Sequence, residues 1–75
     1  MFLHELSVGQ CGKVLAVCGE KEIRTRLGDL GVIDGTRITA LGKSPLGDPT
    51  AYLIRGAVIA LRKEDAGNVL VESEG

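Results

Sequence analysis

The sequence predicts a small, mainly β domain: a strongly bent five-stranded sheet with one helix inserted after the first strand. Three observations carry this. The chain has 75 residues, which is one domain. Five short runs rich in β-branched and apolar residues are separated by Gly, Pro and Asp turns, the pattern of a small all-β fold. Only one stretch, Glu20 to Leu30, changes to helical period. Closing such a sheet into a barrel would remove exposed strand edges.

The elements follow in order. Gly9-Gln10-Cys11-Gly12 is a turn-rich entry, and Lys13 to Cys18 reads as a strand that is apolar on both faces and stopped by Gly19. In the helical stretch, Ile23, Leu27 and Leu30 fall at i, i+4 and i+7, one face of a helix. Glu20 and Glu22 occupy its first turn, where the helix dipole favours acids. Glu22 and Arg26 stand at i,i+4 in the favourable order. Gly31 is placed to end the helix as its C′ residue. Gly28 inside a helix costs about 1 kcal/mol relative to Ala, which predicts close packing against another backbone. Asp34-Gly35 is a tight turn, followed by a strand over Thr36 to Leu41. Thr50–Ile54 and Ala57–Leu61 read as a hairpin across Arg55-Gly56. Arg62 to Asn68 is polar and long enough for a single helical turn, and Val69-Leu70-Val71 is the last strand, with Glu72 to Gly75 fraying. Val14, Ala16, Ile38, Leu53, Ile59, Leu61 and Val69 are the expected core.

Composition removes several function classes. Hydrophobic residues are 44% and charged residues 25%, with a net charge of −1. Lys and Arg are interleaved with Asp and Glu rather than gathered in a basic stripe, and Phe2 and Tyr52 are the only aromatics. Neither the electrostatic footprint nor the stacking platform of a nucleic-acid binder is present. The longest purely apolar runs, Val14–Cys18 and Ala57–Leu61, have five residues, against about 20 for a membrane span. The start lacks a basic region and a long apolar core, so the expected location is the cytosol. Cys11 and Cys18 lie roughly 23 Å apart if they share one strand, beyond disulfide reach. They are expected to be buried, acting as small apolar residues.

The segment Lys43-Ser44-Pro45-Leu46-Gly47-Asp48-Pro49 departs from an ordinary polar loop. Pro45 fixes its own φ, Pro49 pushes Asp48 toward extended geometry, and Gly47 is free to take φ > 0. The result is a rigid loop with a leucine at its tip.

Gly12-x-Val14, Arg26-Leu27-x-x-Leu30-Gly31-Val32-x-x-Gly35, Pro45-x-Gly47-Asp48-Pro49, Gly56-x-x-x-Ala60-Leu61-Arg62 and Ala66 before Val69-x-Val71 together resemble the FeoA family. These are small cytosolic proteins of bacterial ferrous-iron uptake. The resemblance runs from about Leu6 to Val71, nearly the whole chain. Asp34 stands where many members carry proline, and Asp65 where members often have Glu. The resemblance implies an SH3-like barrel and a role beside FeoB, the membrane ferrous-iron transporter with a cytosolic GTP-binding domain. The chain would be recruited by it to the inner face of the membrane. The same barrel occurs at the C-terminus of DtxR-type repressors, which implies the alternative of a transition-metal-responsive regulatory or oligomerising domain.

The chemistry is sparse. His4 is the only histidine, next to Glu5 near the chain start, and no Cys-x-x-Cys or His-x-x-x-His occurs. His4 and Glu5 are expected to be exposed and solvated. No high-affinity metal site and no cofactor are expected, with ferrous iron associated only weakly or indirectly. No catalytic set can be assembled, and both the P-loop and Gly-x-Gly-x-x-Gly are absent. An SH3-type groove for proline-rich peptides is lined by aromatics, and two aromatics do not make one. Protein binding remains. The candidate contacts are Leu46, Gly47, Asp48 and Tyr52, with Tyr52 open between interface and core. Self-association leaves no readable mark in the sequence.

Overall fold

A computed structural model describes residues 1–74. Five strands form one antiparallel sheet: β1 (Cys11–Val17), β2 (Arg37–Lys43), β3 (Thr50–Ile54), β4 (Ala57–Leu61) and β5 (Val69–Ser73). Their order across the sheet is β4-β3-β2-β1-β5. The helix α1 (Lys21–Asp29) follows β1, and a short helix α2 (Lys63–Ala66) joins β4 to β5. Bulges between Val14 and Ala16 and between Ala40 and Gly42 bend the sheet around its core. The expected strongly bent five-stranded sheet with its inserted helix is present. Closure through the backbone is incomplete, because β4 pairs only with β3 and remains an edge.

The core gathers Leu3, Leu6, Val14, Leu27, Val32, Ile38, Tyr52, Ile54, Leu61, Val69 and Val71, with Val17, Ile23, Leu30 and Ile59 packed against it. α1 contributes Leu27 as its one buried residue. It ends in a Schellman motif: the Val32 N–H donates to the Leu27 carbonyl at 2.9 Å and the Gly31 N–H to the Gly28 carbonyl at 3.0 Å. Gly31 has φ +95, and a Cβ there would stand 2.8 Å from Arg55 Cδ, so glycine answers both the backbone and the space.

Several expectations are corrected. Leu53 is not core; it is 39% exposed on the outer face of the sheet. Gly28 has nothing within 4 Å of a built Cβ, so no close approach accounts for it. Arg26 pairs with Asp65 across the fold at 2.6 Å rather than with Glu22. Cys18 is exposed and Cys11 half-buried, so Cys18 is not a small core residue. The chain start is tied down rather than loose: Leu3–Glu5 form a 3-10 turn, Phe2 bridges to Leu70, and Met1 exchanges backbone bonds with Val71. At the other end, β5 runs to Ser73, the Glu74 N–H donates to the Cys11 carbonyl and Arg37 reaches Glu74 at 3.0 Å. Fraying is not seen through Glu74, and Gly75 lies outside the described residues.

Candidate docking surface

The proline loop is built by its own polar groups. The Ser44 N–H donates to the Pro49 carbonyl at 3.0 Å, and the Ser44 hydroxyl donates to the Asp48 carbonyl at 2.6 Å. The Gly47 N–H donates back to the Ser44 carbonyl at 2.8 Å, with Gly47 at φ +87. The Asp48-Pro49 peptide is cis. These bonds tie the two ends of the loop together and leave Leu46 at its tip, 96% exposed. A nearly fully solvated leucine makes no contribution to folding through burial.

Asp48 faces the protein. Its Oδ1 accepts the Lys63 N–H at 2.9 Å, satisfying a free donor in the first turn of α2, and its Oδ2 lies 3.8 Å from Arg62 Nη1. Arg62 is largely solvated and Asp48 partly so, so the charge pairing adds little beyond the bond to the backbone. Asp48 therefore anchors the loop to α2. Gly47 lines a cavity of about 160 Å³ with His4, Lys43, Thr50 and Lys63.

Tyr52 is 1% exposed and is the largest fully buried side chain of the core. This removes it from the candidate contacts. On β3, Thr50, Tyr52 and Ile54 are buried, and the bulky phenol fills the volume that a core with so few aromatics has to close. Burial pushes the Tyr52 phenol up, the Thr50 side chain bonded to it pulls the other way, and the Asp48 charge adds to the rise. So Leu46 is presented to solvent, Gly47 and Asp48 shape and anchor its loop, and Tyr52 belongs to the core.

Reading the sequence missed the face beside the loop. The register sets Leu53 opposite both Thr39 and Val58, and Ala51 opposite Ala60. Side chains of directly paired residues share a face. The outer side of β2, β3 and β4 thus carries Leu41 in the β2 bulge, Leu53 and Val58, the last 67% exposed. An apolar groove of about 530 Å³ crosses it, lined by Leu41, Pro49, Ala51, Val58 and Ala60 among others. The signal was available: the hairpin strands are apolar on both faces, and a sheet this small covers only one. Other exposed apolar residues lie elsewhere: Leu15 on β1, and Val8 and Ile33 outside the strands.

Metal-holding chemistry is not assembled. Among the described residues no group of three or more His, Cys, Asp or Glu side chains is close enough to hold an ion. His4 is half-buried, and its Nδ1 is buried without a hydrogen-bond partner, facing the backbone of α2, where a Cβ on Gly67 would lie 3.6 Å away. This corrects the expectation of a solvated His4, and the residues present do not fit a zinc centre, which uses four ligands or three and a water.

Comparison with known proteins agrees with this architecture. The FeoA domain model matches residues 1–73. A fusion of Fe(2+) transport protein A with the Fe(2+) transporter FeoB from Porphyromonas gingivalis is 36% identical over 72 residues, 96% of this chain and 8% of that protein. The chain thus spans under a tenth of that relative's length. The solution structure of the FeoA protein of Chlorobium tepidum aligns with a TM-score of 0.92 at 33% identity, covering all of this chain and 71% of that one. The zinc-complexed FeoA of Stenotrophomonas maltophilia, described as a prokaryotic SH3 domain protein, aligns with a TM-score of 0.85 at 29% identity, covering 96% and 89% of the two chains. The fold is SH3-like, and with its family model matched over nearly its full length, the chain belongs to the FeoA family.

Proposed function

We propose that this chain is an accessory protein of bacterial ferrous-iron uptake. It docks on the cytosolic part of a FeoB-like membrane transporter and influences the transporter's assembly or its GTPase cycle. The observation that carries this reading is the apolar surface formed by Leu46 on its rigid loop and by Leu41, Leu53 and Val58 on the neighbouring sheet face. The groove on that face runs to Ser44 and Pro49, the two ends of the loop, and exposed apolar surface of this kind marks a protein contact. The relative in which a Fe(2+) transport protein A is fused to FeoB supports the transporter as the partner, since fusion keeps two chains at high effective concentration. No described helix is long and apolar enough to cross a membrane; recruitment by the transporter brings the domain to the inner membrane face. The chain acts by binding rather than by catalysis. No specific feature of the described residues favours the alternative, a metal-responsive regulatory or oligomerising domain.

The test is capture of the isolated cytosolic region of the cognate transporter by this chain, with and without guanine nucleotide. Capture that depends on the nucleotide state is the expected result. Absence of capture under every nucleotide condition overturns the proposal.

A further inference from the structure

We propose that β4 is an open edge that takes up an extended segment of the transporter's cytosolic part as a sixth strand. That segment is apolar in its middle and acidic at both ends. The inference rests on the docking reading above and adds how the partner is held.

The backbone parity of β4 follows from its turn. Arg55 and Gly56 have φ of +50 and +84, positive at both central positions as in a type I′ hairpin. The closing pair of such a hairpin, Ile54 and Ala57, exchanges both backbone bonds, and bonded pairs then alternate along the ladder. Tyr52 with Ile59 and Thr50 with Leu61 are the next bonded pairs of the register. The N–H and C=O groups of Val58 and Ala60 therefore point away from β3. β4 has no second strand neighbour, and no loop or turn bond among the described residues reaches Val58 or Ala60.

This edge carries none of the usual protection. The strand reads Ala-Val-Ile-Ala-Leu, without charge or proline, and its register with β3 runs unbroken. Edges not meant for pairing are blunted by charges, prolines, bulges or a covering segment. The opposite edge is treated that way: β5 carries Glu72, and Met1 and Phe2 lie along it. Strand addition gives affinity through the main chain and specificity through pockets for alternate side chains. Here Val58 and Ala60 open onto the apolar groove with Leu41, Pro49 and Ala51, which would take an apolar side chain of the incoming strand.

Charge identifies the occupant. Arg55 stands at one end of β4, and Arg62 and Lys63 at the other. All three are exposed; Arg55 and Lys63 form no ion pair among the described residues, and Arg62 only reaches Asp48 at 3.8 Å. Glu64 follows within α2 and offsets part of this charge. A second copy pairing antiparallel about Ile59 would bring the Arg55 turn of one chain to the Arg62–Lys63 end of the other at both ends, and like charges brought together repel. A strand with acids at both ends meets the cations instead.

The test combines amide exchange with one substitution. In the free chain the Val58 and Ala60 amides exchange fast, whereas those of Ala57, Ile59 and Leu61 are protected. Adding the transporter's cytosolic region slows Val58 and Ala60 by about tenfold or more. Ala60→Pro removes an outward donor and no ladder bond, which edge strands tolerate, and weakens binding by about tenfold while thermal unfolding stays cooperative. Wild-type binding without slowing of these two amides overturns strand addition and leaves docking standing; so does unchanged binding by a folded Ala60→Pro. If that variant does not fold, the exchange result on the wild type decides. No binding by the wild type overturns both readings. Slowing of the two amides on concentrating the chain alone makes a second copy the occupant and overturns the acidic partner strand.

Discussion

Truncating Leu46 separates docking from folding more cleanly than any other change in this chain. Its side chain is 96% exposed, so Leu46→Ala should leave unfolding stability within about 0.5 kcal/mol of the wild type. Docking that buries the side chain depends on it heavily. The substitution removes three carbons at about 0.8 kcal/mol each. Allowing for incomplete burial at a loop tip, the loss is about 2 kcal/mol, or roughly 30-fold in Kd. Leu46→Glu adds the cost of placing a charge against an apolar contact and should abolish measurable binding. Calorimetric titration of each variant against the transporter's cytosolic region reads the effect, with denaturant unfolding of the same samples as control. A Kd within about twofold of wild type, which is ~0.4 kcal/mol, would remove the loop tip from the interface. A large loss of stability would instead mean that Leu46 packs onto the barrel.

Two further predictions concern the loop's anchor and the core. Asp48→Ala should lower stability by about 1 kcal/mol, the usual worth of a helix-start cap, and thermal midpoint by about 4–8 °C, with Asn restoring most of it by accepting the Lys63 N–H; no change in either variant would mean that the carboxylate does not anchor the loop. Tyr52 is the only tyrosine, so its ultraviolet titration reads one group. Burial holds its folded phenol above the ordinary tyrosine value, so the folded state binds the proton more tightly than the unfolded state. The corresponding stability is therefore complete below the unfolded value and is lost as pH rises from there through the folded one. A phenolate signal appearing at or below the ordinary value would contradict the burial.

Much of this fold was legible because its local signals agree with one another. Glycines at 31 and 56 take positive φ, as their places after a helix and within a two-residue turn require, and the period change at Glu20 marks α1. The misassignments trace to tertiary choices. Leu53 and Tyr52 are both apolar alternates of one strand, and nothing local says which face turns inward; the larger side chain took the core. Asp48 reads as a candidate contact in the sequence because its partner, the Lys63 N–H, lies 15 residues further on. Glu22 lost Arg26 to Asp65, 39 residues from Arg26. The ordering of the chain start depends on pairing with β5, a contact across the whole sequence. Leu46 was readable because prolines and Gly47 fix the loop around it regardless of the rest.

The loop tip and the outer face of β2–β4 are the proposed contact with the transporter. Titrating the isotope-labelled chain with the cytosolic region of the cognate transporter, while following backbone amide and methyl resonances, tests it most directly. Perturbations are expected to concentrate on Leu41, Leu46, Leu53, Val58 and Ala60, leaving α1 and β5 unmoved. Perturbations centred on α1 or on the β1–β5 side, with Leu46 and Val58 unchanged, would contradict it.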